Sequence, residues 1–107
     1  MTTYANTSYV AKNVGTSAST LTTVSSGTIA VTSLVVTNTT VSPITTDVYF
    51  TRSAVDYYLV KGATVPVGGS LEAIAGNRIV LIASDALKVL TSAASSADVV
   101  VSVLTAV

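Results

Sequence analysis

The stretch TIAVTSLVVTN, Thr28–Asn38, decides how the whole chain is read. Its Val, Ile and Thr side chains suit a pleated, packed strand. A half-buried strand alternates apolar and polar residues. Here the alternation slips, because Ile29 and Val31 fall on one face and Leu34 and Val36 on the other. One extra residue near Thr32–Ser33, a β-bulge, brings all four onto the same face. The other reading keeps the strand regular and covers both of its faces. Either way this is a core strand.

Outward from that strand, no segment keeps an apolar face at i, i+3, i+4 and i+7, and turn signals recur at roughly 8–12 residues, the spacing of a sandwich or barrel. Residues 1–19 are small and polar and read as an N-terminal arm with one short strand at 9–14; residues 20–107 read as a single β-sandwich domain. Residues 20–24 form a short strand closed by the turn SSG. Pro43 marks TTVSPIT as a loop, since it has no N–H for a ladder. In VPVG, Pro66 at the second place and Gly68 at the fourth fit a type I turn. SLEAIAGNRIVLIA reads as a hairpin, with Gly76-Asn77 as a type II′ loop setting Ile74 opposite Ile79 and Leu71 near Ile82. Ser84-Asp85 and ASSAD are turns, and VVVSVLTAV is the last strand. The resulting fold class is all-β: one antiparallel sandwich of eight or nine strands, jelly-roll-like or another Greek key.

TDVYFTRSAVDYYLVKG, residues 46–62, holds four of the six aromatics and four of the ten charged residues. It reads as a hairpin of 47–52 and 57–60. A three-residue loop, Ser53-Ala54-Val55, sets Arg52 against Asp56 and Asp47 against Lys61, but asks β-branched Val55 to be left-handed. A four-residue loop ending at Asp56 has better turn chemistry and is preferred. In both registers the aromatics stack across the hairpin.

Composition excludes more than it assigns. With no Cys in 107 residues there is no disulfide, thiolate metal site or cysteine nucleophile. With no His, the commonest general base and metal ligand are missing. Charged residues make up 9% and the formal net charge is zero. Lys12, Arg52, Lys61, Arg78 and Lys88 are scattered, so no basic patch suits nucleic acid or an anionic membrane surface. Mean hydropathy is +0.70, yet no apolar run approaches the roughly 20 residues of a membrane helix. The opening MTTYANTSYVAKNV lacks the basic and apolar regions of a signal peptide. So few charges make a poor monomer surface, which implies that other protein covers much of it.

No local constellation suggests catalysis. The five acids are at least nine residues apart, so they read as turn caps and solubility charges, with Asp85 and Asp98 in turns. The serines have no histidine base, no S-x-x-K occurs, and KGATVPVGGS lacks the order of a phosphate loop. NTS at Asn6 and NTT at Asn38 match a glycosylation sequon, as chance allows in a Thr-rich chain. No cofactor or metal site is expected, and no enzyme activity. The candidate interface anchors are the aromatics Tyr4, Tyr9, Tyr49, Phe50, Tyr57 and Tyr58. Tyr57 and Tyr58 point to opposite faces of one strand; the plain reading is one ring in the core and one in solvent, the sharper one that the outer ring anchors a partner. Tyr4 and Tyr9 either fold back on their own domain or dock on a neighbour.

From Thr28 onward the chain resembles small virion proteins of bacteriophages. The resemblance lies in the strand VTSLVVTNTT, the hairpin VYFTRSAVDYYLV, the turn VPVGGSLEAI, the strand pair IVLIASDALKV and the Val-rich last strand. It implies a non-enzymatic β-sandwich that acts as a capsid decoration (cement) protein, or as a neck, tail or fibre component. It also implies a homo-oligomer, with a trimer favoured, bound to the major capsid protein or other virion proteins, and a location in the virion assembled in a bacterial cytoplasm. A second, unrelated reading is a carbohydrate-binding sandwich with Tyr49, Tyr57 or Tyr58 as the sugar platform.

Overall fold

The computed structural model describes residues 4–74 and 78–106. Nine strands occur among them: β1 (Tyr4–Val14), β2 (Ser19–Thr23), β3 (Thr28–Asn38), β4 (Ile44–Arg52), β5 (Val55–Val65), β6 (Ser70–Glu72), β7 (Ile79–Ile82), β8 (Ala86–Thr91) and β9 (Ala97–Ala106). All pairings are antiparallel. One sheet runs β1-β9-β3 and continues with β6 and β7, both on β3; the other runs β2-β8-β4-β5. With β6 and β7 counted as one interrupted strand, this is the eight-strand order of a jelly roll.

The bulge in Thr28–Asn38 is present. The β3–β9 register shifts between Val31 and Ser33, and Thr32 donates its Oγ1 hydrogen bond to Ser102 O at 3.1 Å. Ile29, Val31, Leu34 and Val36 are all buried as a result. They meet Val99, Val101 and Val103 of β9 beside them and Val48, Leu87 and Val89 of the opposite sheet. β9 alternates strictly, with Ala97, Val99, Val101 and Val103 inside and Val100 outside. Sandwiches bury alternate residues of both sheets in this way.

Three expectations about turns and pairings are corrected. The SLEAIAGNRIVLIA segment is not a local hairpin: β6 pairs Val35–Thr37 of β3 through Ser70, Leu71 and Glu72, while β7 pairs Thr28–Val31 through Ile79 to Ile82. Ile74 therefore does not face Ile79, and Gly76-Asn77 lies outside the described residues. The cause is the β3 bulge. An edge strand following β3 has to interrupt its own ladder where β3 bends, and Glu72 fills the gap by accepting from Leu34 N and Ser33 Oγ at 3.3 Å each. The turn after β5 sits one residue later than expected: Gly69 N donates to Pro66 O at 3.0 Å, and Gly68 takes the third position with φ 68°, as type II requires. Asp98 lies inside β9, not in a turn.

The β4–β5 hairpin adopts neither expected register. Arg52 pairs with Val55 around the two-residue loop Ser53-Ala54, both left-handed at φ 52° and 62°. That is the mirror-image turn whose twist matches the strands. Its usual Asn-Gly signature is absent, which hides it from residue preferences. The segment expected as a polar arm contributes all of β1, eleven residues long, running along β9 from Tyr4↔Ala106 to Val14↔Ala97 with a bulge before Val14.

Candidate functional site

The hairpin aromatics pair across the strands as expected. Phe50 and Tyr57 stack at 5.4 Å, and Tyr49 and Tyr58 pair at 5.0 Å with a 36° tilt. Alternation along β4 sends Val48 and Phe50 inward and Tyr49 outward. Tyr49 is nonetheless buried, because Tyr58 covers it from the neighbouring strand. Lys61 Nζ lies 4.4 Å from the centre of the Tyr58 ring, and Arg52 lies 5.2 Å from that of Phe50. Burial, then the nearby Asp56, Tyr58 and Asp47, pushes the Tyr49 hydroxyl above its ordinary pKa. Tyr57 and Tyr58 remain about half exposed on opposite faces of β5, so they do not form one flat platform. Tyr9 turns inward from β1 and packs on the core. Tyr4 is placed in β1 by its backbone, and its side chain lies outside the described residues.

The acids are held apart, each with its own partners. Asp85, almost fully buried in the β7–β8 turn, accepts from Arg52 Nε at 2.9 Å and Nη2 at 2.6 Å, and from Ile82 N at 2.9 Å. The Arg52 hydrogen bonds hold its carboxyl below the usual range against the opposing effect of burial, with the Ile82 N–H assisting. Asp47 accepts from Gly62 N at 2.7 Å and lies 3.5 Å from Lys61. This contact is possible because β5 bulges there, with Gly62 at φ 66°. Asp47 is the main cause of the raised Lys61 pKa. Asp98 pairs with Lys12 at 3.0 Å, and that hydrogen bond chiefly lowers its pKa. Asp56 accepts from Thr51 Oγ1 at 2.8 Å. Among the described residues, no three His, Cys, Asp or Glu side chains group in a way that would hold a metal ion.

Buried polar groups are likewise used up in the fold. Asn38 donates through Nδ2 to Ser42 O and Val65 O, and its Oδ1 accepts from Thr40 N and Oγ1. Its amide is thus committed to closing the β3–β4 loop, which removes the second sequon from consideration. The Thr91 and Ser96 hydroxyls lie 2.6 Å apart beneath Val14 O. The side chains of these buried groups thus find their partners within the fold. What it leaves to the outside is surface: the Tyr57–Tyr58 strand on one sheet, and on the other an outer face bearing Val10, Val80, Ile82 and Val100, all exposed.

No protein-family model and no curated protein sequence matches the chain. Among solved structures it is similar to a chain from the work described as "Bacillus endospore appendages form a novel family of disulfide-linked pili". The two share 16% identity with a TM-score of 0.61, over 97% of this chain and 88% of the other. That likeness shows a shared fold along almost the whole length, including the segment expected as an arm. Among the described residues no helix is long and apolar enough to cross a membrane.

Sequence reasoning pointed to the aromatic pairs and, for β3, offered either the bulge or a strand covered on both faces. It missed the Arg52–Asp85 pair, which spans 33 positions and has no local signature. It also missed the apolar outer face of the first sheet. The signal for that was in VVVSVL, where Val100 interrupts the polar alternation that a solvated face requires.

Proposed function

We propose that this chain is a non-enzymatic structural subunit that works in many copies on the outside of a particle or filament. The observation that carries this reading is the fold shared, end to end, with a pilus-forming appendage protein. The uncommonly low charge and the internally spent polar groups support it, since both leave a surface suited to protein contacts and none to turnover.

Two settings fit such a subunit. One is the phage head suggested by the resemblance of residues 28–107, with trimers of this chain seated on the major capsid protein, or a neck, tail or fibre position in the same virion. The other is a pilus-like appendage. The fold neighbour favours the second. Its pili are described as disulfide-linked, whereas a chain without Cys would assemble by surface burial alone. Many modest contacts repeated along a polymer or lattice then provide stability through avidity.

Electron microscopy of the concentrated chain, together with its copy number in native particles, tests the proposal. Filaments support the appendage setting. Small rings present at hundreds of copies per capsid support the decoration setting. A chain that stays monomeric and joins no particle overturns both. Sugar binding lost on Tyr58→Ala would instead favour a lectin-like role, which the engagement of the Tyr58 ring by Tyr49 and Lys61 argues against.

A further inference from the structure

We infer that the outer face of the β1-β9-β3-β6/β7 sheet is a homotypic interface, against which a second copy packs the same face about a twofold axis. This deepens the multi-copy reading above and rests on it.

The face is built in rungs. Val10 and Val100 pair across β1 and β9, and Val35 of β3 continues their rung. Two residues along, Ser8, Ser102 and Ser33 form a hydroxyl rung beside a shallow furrow at Asn6 and Thr7. Beyond it Leu104, Ala30 and Val80 form a second apolar rung. Val10 is 74%, Val80 52% and Val100 47% exposed. Such residues side by side on an outer face form a patch, unlike single exposed valines on loops.

Charge selects the occupant. At one end Lys12 and Asp98 neutralise each other, and Glu72 is drawn onto Ser33 and Leu34. Glu72 keeps its negative charge but lies on the short edge strand β6, beside Val35 at the rim of the face, so the centre of the face is uncharged. A twofold axis running along the strands through that centre sets the two Glu72 carboxylates on opposite rims, which keeps like charges apart as a self-complementary interface requires. The outer face of the other sheet, with Asp47, Asp56, Lys61 and Lys88, is not so plain. The area also suffices. Four strands spaced at about 4.8 Å and about ten residues long present about 600 Å² per copy. Two copies then bury about 1,200–1,300 Å², at the lower end of stable interfaces.

Sedimentation equilibrium of the full chain tests the inference. Val100 and Val35 lie on the interior strands β9 and β3, so lysine there blocks the face and leaves every strand edge intact. Val100→Lys and Val35→Lys are each expected to weaken self-association at least tenfold with unchanged circular dichroism. Val41→Lys, on the β3–β4 loop at 92% exposure, is expected to leave it unchanged. Should the lysine variants unfold, Ser102→Cys gives a spin-label site in a chain with no other thiol. Short inter-label distances are expected, since facing sheets lie about 10 Å apart. Association that survives both lysines, or labels too far apart to couple, overturns this interface and leaves the multi-copy role standing. A wild-type chain that neither self-associates at high concentration nor joins any particle overturns both.

Discussion

Asp85 shows how much one residue holds in a charge-poor chain. It lies in the β7–β8 turn, yet its carboxylate reaches both the edge strand β7, through Ile82 N, and the tip of the β4–β5 hairpin, through Arg52. Removing it leaves the part-buried Ile82 N–H and a guanidinium without their acceptor. The Arg52 side chain is 38% exposed, so water recovers part of the loss. Asp85→Ala is expected to cost about 2 kcal/mol, read as a fall in Tm of about 10 °C. Because the folded pKa of Asp85 is depressed, its contribution is complete above the ordinary carboxylate value of about 4. It is lost as pH falls from there through the depressed value. The wild type should therefore lose Tm on acidification more steeply than Asp85→Asn, and a set of melts from pH 6 to pH 2 checks this. That an Asp in Ser84-Asp85 caps a turn was legible from its neighbours. That it also anchors a hairpin 33 residues away was not, because such a pair is created by the topology and leaves no spacing to read.

Among the elements, β3 and the β4–β5 hairpin give opposite lessons. In β3 the misplaced apolar pairs Ile29, Val31 and Leu34, Val36 left two readings, a bulge or a strand covered on both faces, and the structure takes the bulge, because burial on one face is a constraint that the pattern itself must satisfy. Deleting Thr32 removes the unpaired residue, so β3 runs along β9 without a break, all four side chains stay inside, and cooperative unfolding should be kept in a urea titration. Deleting Ser33 as well turns one pair out to solvent and is expected to abolish cooperative unfolding or to bring the midpoint near zero denaturant. In the hairpin, residue preferences misled, since Ser53-Ala54 occupies a turn that Asn-Gly fills at lower cost. Two non-glycine residues at positive φ each store about 1 kcal/mol. Ser53→Asn combined with Ala54→Gly should therefore stabilise the protein by about 1 kcal/mol, measured by thermal or urea unfolding. The interruption between β6 and β7 was illegible for a different reason: it answers a bend in β3 more than thirty residues earlier, while the segment itself has the local pattern of a hairpin.

At the scale of the whole molecule, the sandwich measures 49 × 27 × 21 Å, and its two sheets differ in character. The β2-β8-β4-β5 sheet carries the Asp47–Lys61 and Tyr49–Tyr58 pairs on its outside; the β1-β9-β3-β6/β7 sheet presents mainly valine and serine, with Lys12–Asp98 and Glu72 toward its margins. The all-β class and the sandwich were legible from composition and turn spacing. The order of the strands was not, because in a jelly roll nearly every sheet neighbour is distant in sequence. One feature of that order bears on mechanics. Tyr4 pairs with Ala106, so the two ends of the described chain lie side by side on adjacent antiparallel strands. Tension applied between those ends peels β1 from β9 one rung at a time, never loading several hydrogen bonds together. A pulling experiment with handles at positions 4 and 106 should open this domain at low force, whereas handles at opposite ends of β3 and β9 should meet far higher resistance. A particle or fibre under load would then be sound only if strain passes from body to body through the flanks of its subunits, with the ends of each chain kept out of the line of force.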